Sequence, residues 1–286
     1  MKMTKKILTA LLAVLMLSTL ACTAWADDVA SFDDVKSLRM DIDLIINMDM
    51  SLFGESLTDI KMDMDGTLDM TRDPERFYLD MTTTGDEESQ HLLSYYEPQG
   101  TGYVVYTSVD EGKTWEKQTV TDEAIPNGIV SSLDSFAKIA EFAKGFEKTG
   151  TEEIHGRKAD VYSGVLSNEQ LKEYLEISGS LDALFTSFGT NTNDLDASTL
   201  GEMPVTIMLD SENGMLLGYS MDMKDFLQNL MQSMMGSLIS NTMQGAELPE
   251  GFDLGSMMTV TINEAKSNTT LYDFNAVGEI TMPNAA

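Results

Sequence analysis

The chain has 286 residues, 47 of them acidic and 18 basic, for a formal net charge of −29. That balance excludes a nucleic-acid-binding surface, which needs an excess of Lys and Arg to neutralise phosphates, and it argues against docking on anionic lipid headgroups. Its plain consequence is solubility and mutual repulsion.

The first 26 residues read as a secretory signal. Lys2, Lys5 and Lys6 form a basic region, residues 7–21 are apolar but short for a membrane span, and Ala24, Trp25 and Ala26 give a small-x-small cleavage site. Cleavage after Ala26 leaves residues 27–286 as a single domain with 15 basic and 47 acidic residues, net −32, and no cysteine. The alternative makes Cys22, the sole cysteine, a lipidated N-terminus, because Leu20, Ala21 and Cys22 match the end of a bacterial lipobox. Thr19 departs from the aliphatic residue usual in that motif. The mass of the mature N-terminus separates the two. No later stretch has the length and apolarity of a span. The mature chain is therefore expected to be a monomer outside the cytoplasm, secreted or held at the envelope through Cys22.

Residues 38–52 alternate strictly: Leu38, Met40, Ile42, Leu44, Ile46, Met48 and Met50 are apolar, and Arg39, Asp41, Asp43, Asn47 and Asp49 between them are polar, with Ile45 the exception. Period two sends successive side chains to opposite faces, so the spacing predicts one long strand with a dry and a wet face. Residues 59–71 repeat the pattern, which predicts a long antiparallel hairpin. A meander of short strands follows to residue 120, punctuated by turns at 73–75, 85–88, 97–100 and 110–113. Residues 131–148 change to helical spacing. Strand returns at 154–166, and Ser167 with Gln170 forms a capping box for a further helix. A hairpin over 205–223, a Met-rich helix over 224–243, a strand over 257–274 and a terminal edge at 280–283 complete the pattern.

Asp63, Met64, Asp65, Gly66, Thr67 and Leu68 read like the nucleophile signature of haloacid-dehalogenase-type phosphatases, where two aspartates and magnesium transfer a phosphoryl group. That chemistry sits at the end of a buried parallel strand, which reads as a continuous apolar run. Here the preceding residues alternate, which puts Asp63 and Asp65 on the same wet face as Asp59, Lys61 and Asp69. The same stretch fails as an EF-hand, because Lys61 and Arg72 fall at ligand positions. His91 and His155 have no ligand partner at recognisable spacing, so no metal site or cofactor is expected, and His155, beside Gly156 in a turn, is expected to be solvated. Asn268, Thr269 and Thr270 form a glycosylation sequon only in a eukaryotic pathway. Tyr95, Tyr96, Tyr103, Tyr106 and Trp115 are expected in core or cross-strand pairs. No catalytic residue is assigned, and the chain is not expected to be an enzyme.

The order of elements, together with residues 153–162, 209–216 and 273–280, resembles the lipoprotein-carrier superfamily that includes LolA, LolB and the mycobacterial LppX/LprG carriers, and within it secreted or lipid-anchored Gram-positive relatives. The resemblance implies an α+β fold: a strongly curved antiparallel β-sheet, a half-barrel, with helices packed on the concave face. It implies a non-catalytic protein that binds or carries an apolar ligand, a lipid or acylated molecule, at the cell envelope. This sequence permits a soft lid in the helix around residues 231–239. The ligand-binding residues stay unassigned. The alternative is a surface interaction or structural protein with a packed core and no ligand. The 22 methionines suit the first reading, since Met is flexible and polarizable.

Overall fold

Sixteen residues of alternating polarity form β1, Ser37–Leu52, the strand on which the molecule is assembled. In this computed structural model residues 32–52, 55–85, 89–100, 102–121, 136, 139–171, 200–242 and 258–283 are described. Ten further strands follow: β2 (Glu55–Arg72), β3 (Glu75–Gly85), β4 (Ser89–Gln99), β5 (Gly102–Ser108), β6 (Glu116–Thr121), β7 (Glu147–Ile154), β8 (Arg157–Leu166), β9 (Met203–Asp210), β10 (Leu216–Asp222) and β11 (Met258–Tyr272). Helix α1 (Lys224–Thr242) lies between β10 and β11.

All eleven strands belong to one open, curled sheet in the order β6-β5-β4-β3-β2-β1-β11-β10-β9-β8-β7, and every neighbouring pair is antiparallel. Two meanders, one running forward from β1 and one leading back from β11, are thus zipped together where β1 meets β11. The register carries the alternation across the sheet. Leu44 stands opposite Met64 and Ser267, and Ile46 opposite Met62 and Ala265. A slip of one residue would turn each of these rows to water, so burial of one face specifies the pairing. Each side chain fully buried in these rows contributes about 1.5–3 kcal/mol.

Helix α1 fills a gap in this sheet. The β10–β11 pairing runs only from Gly218 opposite Thr270 to Asp222 opposite Lys266. Beyond it, β11 keeps β1 on one side and meets α1 on the other. Gln228 takes the place of a strand: its Nε2 donates to the Val260 carbonyl (2.6 Å), and the Ile262 N–H donates to its Oε1 (2.8 Å). Phe226, Leu227, Leu230 and Met231 are buried beside it. Gln228→Ala leaves a donor and an acceptor of β11 unpaired. It is expected to cost about 1–3 kcal/mol in urea unfolding; a loss too small to measure would mean that water replaces the amide.

Several expected elements differ. The helix expected over 131–148 has ended by the 3-10 turn Ala143–Gly145, and the chain is already in β7 from Glu147. β7 is an edge strand exposed along almost its whole length, so it has no dry row to advertise it. Pro98 lies within β4 instead of a turn. Residues 280–283 form no strand; the Ile280 carbonyl is held instead by Arg76 Nη1 at 3.1 Å. The capping box forms as expected, with Gln170 N donating to Ser167 Oγ and Ser167 N to Gln170 Oε1. Among the described residues no helix is long and apolar enough to cross a membrane.

Candidate ligand-binding face

The dry rows of the sheet merge into one buried cluster. Among the described residues forty buried ones make it up, and twelve of these are methionines: Met40, Met48, Met50, Met62, Met64, Met70, Met81, Met203, Met215, Met221, Met223 and Met231. With nearly a third of its members flexible thioethers, this face can adopt many packings that a Leu or Val surface could not. Phe136, Ile139, Ala140, Phe142 and Ala143 from the segment before β7 join the same cluster, as do the four apolar residues of α1. Of the residues expected in a soft lid, Met231 is buried at 3 % exposure, while the side chain of Ile239 lies outside the described residues.

Among the described residues, Ser and Thr hydroxyls interrupt the apolar surface at three positions, beside the buried phenol of Tyr219. Ser94 faces Leu79, Ser267 faces Leu44 and Met221, and Thr269 faces Ile42 and Tyr219; all three are buried. Burial also pushes the Tyr96 hydroxyl above its usual range, with a hydrogen bond from Ser94 acting the other way, so Tyr96 stays neutral. Among the described residues, the buried polar ones of this face bear no charge. The sequence pattern gives Ser267 and Thr269 away only indirectly, as polar residues in the buried row Ala265, Ser267, Thr269 and Leu271.

The opposite face is strongly acidic. Asp63 and Asp65 are exposed there, in line with the wet-face reading, and Gly66 between the two strands sits opposite Ile42 and Met81. Asp43 stands directly opposite Asp65, and Asp49 opposite Asp59. Partial loss of hydration on the sheet surface, together with Asp41, Asp65 and Asp63, holds the Asp43 carboxyl above its usual range. A carboxyl raised in the folded state binds its proton more tightly there than in the unfolded chain, so its effect on stability is favourable at acid pH and is lost as pH rises through its titration. Asp43→Asn is therefore expected to stabilise the protein at neutral pH by about 0.2–1 kcal/mol, a gain that disappears once Asp43 is protonated. Urea midpoints across the acid range check this; an equal gain at all pH values would contradict it.

Arg39 is the main cation of this face. It grips Asp69 with Nε at 2.5 Å and Nη2 at 2.7 Å, and that hydrogen bond holds its pKa above the ordinary value. Among the described residues no group of three or more His, Cys, Asp or Glu side chains is placed to hold a metal ion. A cleft of about 240 Å³ opens on the same outer face, lined by Ser163, Thr206, Ser220, Asn268, Asp222 and Lys266 among others. Pro204, Val205 and Met221 also line it, and it is smaller than the several hundred Å³ typical of small-molecule sites.

His155 lies in the expected turn and is exposed, and its ring also makes contacts of its own. It occupies the two-residue tip of the β7–β8 hairpin with φ 45°, followed by Gly156 at φ 80°, the pair of positive values that such tight turns require. Its ring stacks on Tyr272 at 3.7 Å, with Asp41 Oδ2 3.6 Å from Nε2. The Tyr272 hydroxyl donates to Asp41 Oδ1 at 2.8 Å. Partial desolvation and Asp41 push that phenol up to about 12. His155 thus pins the hairpin tip onto β11 and β1. His91 pairs with Asp80 at 2.7 Å. The aromatics fall into cross-strand pairs as expected: Tyr95 opposite Tyr106, and Tyr96 opposite Val105. Tyr95 also lies between Tyr78 and Trp115, at centroid distances of 4.5 and 5.2 Å. Ala26 and Cys22 lie outside the described residues.

No curated protein matches the chain significantly. Among solved structures, the lipoprotein LppX of Mycobacterium tuberculosis aligns over 96 % of this chain and 98 % of its own, at 12 % identity and a TM-score of 0.38. LprF of Mycobacterium bovis aligns over 98 % and 97 %, at 10 % identity and a TM-score of 0.39. A β-barrel-like protein of Brucella abortus, from a domain family of unknown function (DUF1849), covers 83 % of this chain and 96 % of its own, at 10 % identity and a TM-score of 0.22. Residues 27–234 match a family of unknown function (DUF6612), and the chain belongs to that family.

Proposed function

We propose that this is a non-catalytic extracytoplasmic protein that binds or carries an apolar ligand, a lipid or acylated molecule, at the bacterial cell envelope. Residues 1–26 act as the signal, cleaved after Ala26, and residues 27–286 form one carrier domain. The ligand lies between the sheet and the helices that pack on its concave side. One observation carries this reading: twelve methionines in a single buried cluster of forty residues. A core that only had to pack would gain a better-defined structure from Leu, Ile and Val. Methionines lose little when they move aside for an acyl chain and close again behind it.

The second reading, a surface interaction protein with a packed core, has its own support, because the same forty residues are buried as they stand. Titrating the mature protein with a fluorescent long-chain probe separates the two. The carrier reading expects saturable binding that a non-fluorescent lipid displaces. Probe signal that never saturates, or that equals the signal on an unrelated acidic protein, would reject it.

A further inference from the structure

Thr269 is 1 % exposed, and its Oγ1 has no hydrogen-bond partner. A buried hydroxyl left in that state costs free energy that a valine of the same shape would not. It sits on the methionine face at β11, between Ile42 of β1 and Tyr219 of β10. In its row Tyr219 and Met81 are buried, whereas Ile42 is only half-buried between its buried strand neighbours Met40 and Leu44, and Leu92 at the end of the row is also half-buried.

We infer that Thr269 is a specificity-determining residue: its hydroxyl meets an uncharged hydrogen-bonding group of the ligand, such as an ester, alcohol or amide, inside the apolar face. This rests on the carrier reading and narrows the ligand class. The buried polar groups nearby, on Ser267, Thr269 and Tyr219, are neutral, and among the described residues no buried cation faces them. A carboxylate or phosphate drawn in beside Thr269 would lose its hydration without a counter-charge, which is far more costly than burying a paired neutral group. A plain hydrocarbon would leave the hydroxyl unsatisfied. A neutral polar group on a long chain satisfies both conditions.

The test compares three pyrene-labelled probes of equal chain length, a methyl ester, a plain alkyl chain and a free carboxylate, on the mature protein and its Thr269→Val and Thr269→Ser variants. The ester is expected to bind most tightly to the unaltered protein. Thr269→Val is expected to weaken the ester about tenfold and leave the alkyl probe unchanged, while Thr269→Ser keeps the preference. The ligand-free Thr269→Val protein is expected to melt about 2–4 °C higher, because it no longer buries an unpaired hydroxyl. Saturable binding of all three probes with the same order in Thr269→Val would overturn the inference and leave the carrier reading standing. Saturable binding of none would remove the carrier reading itself and the inference with it. A ligand-free Thr269→Val protein that melts lower would show that the hydroxyl serves the fold, and would also overturn the inference.

Discussion

Phe77→Ala is expected to destabilise the protein by about 3–5 kcal/mol, the usual cost of a large aromatic removed from a closed core. Phe77 is 1 % exposed on β3, directly between Met70 of β2 and Tyr96 of β4. The same row continues to Leu38 on β1 and Val105 on β5. A void opened there is bordered by strands on both sides, which cannot close in without breaking register. Met70, its register partner on β2, is flexible enough to fill part of it, which favours the lower end of the range. Urea unfolding of the purified variant measures the change. A loss below about 1 kcal/mol, far under the cost of emptying a packed site, would mean that this part of the face is already an open space.

Gly66→Ala is expected to cost about 1–3 kcal/mol through overpacking, although the substitution adds a single methyl. A Cβ at Gly66 would lie 2.6 Å from the Asp80 carbonyl oxygen and 3.0 Å from the Met81 Cα. Both are backbone atoms of β3, so no side chain can rotate away and the β2–β3 pair itself must shift. Asp63→Asn and Asp65→Asn, exposed on the other face, are expected to change stability by less than about 0.5 kcal/mol. The three variants together read the phosphatase-like motif. In a phosphoryl-transfer site the aspartates would carry the chemistry. Here the glycine matters, for strand packing, and the aspartates belong to an outer acidic row. A magnesium-dependent phosphatase activity abolished by Asp63→Asn would contradict this reading.

The parts of the fold that were legible are those in which one face is dry and the other wet. β1, β2, β9 and the apolar side of α1 could be placed from period alone, because burial of a single face writes itself into the sequence. β7 could not, since Glu147, Thr149, Thr151 and Glu153 and their neighbours are nearly all exposed and an edge strand needs no dry row. The pairing of β1 with β11 was not legible either; it joins residues more than two hundred positions apart, and no local pattern encodes a partner at that distance. The role of His155 depends on that same long-range closure, because its contacts, Tyr272 and Asp41, come from the last and first strands. At the candidate site the methionine content was plain from composition. Thr269 was visible only as a member of a sequon, and its burial followed once the row from Ala265 to Leu271 was known to face inward. Gln228 reads in sequence as one more polar residue of an amphipathic helix; its function as a substitute strand requires β10 to stop at Asp222.

The most direct test of an apolar ligand on the methionine face is native mass spectrometry of the mature protein, gently purified from a bacterial envelope fraction. The expected spectrum shows a species heavier than the polypeptide by the mass of a lipid, and collisional activation releases that mass and leaves the bare chain. A spectrum holding only the polypeptide mass, from protein that also fails to bind a long-chain probe saturably, would contradict the carrier reading and leave a packed interaction protein in its place.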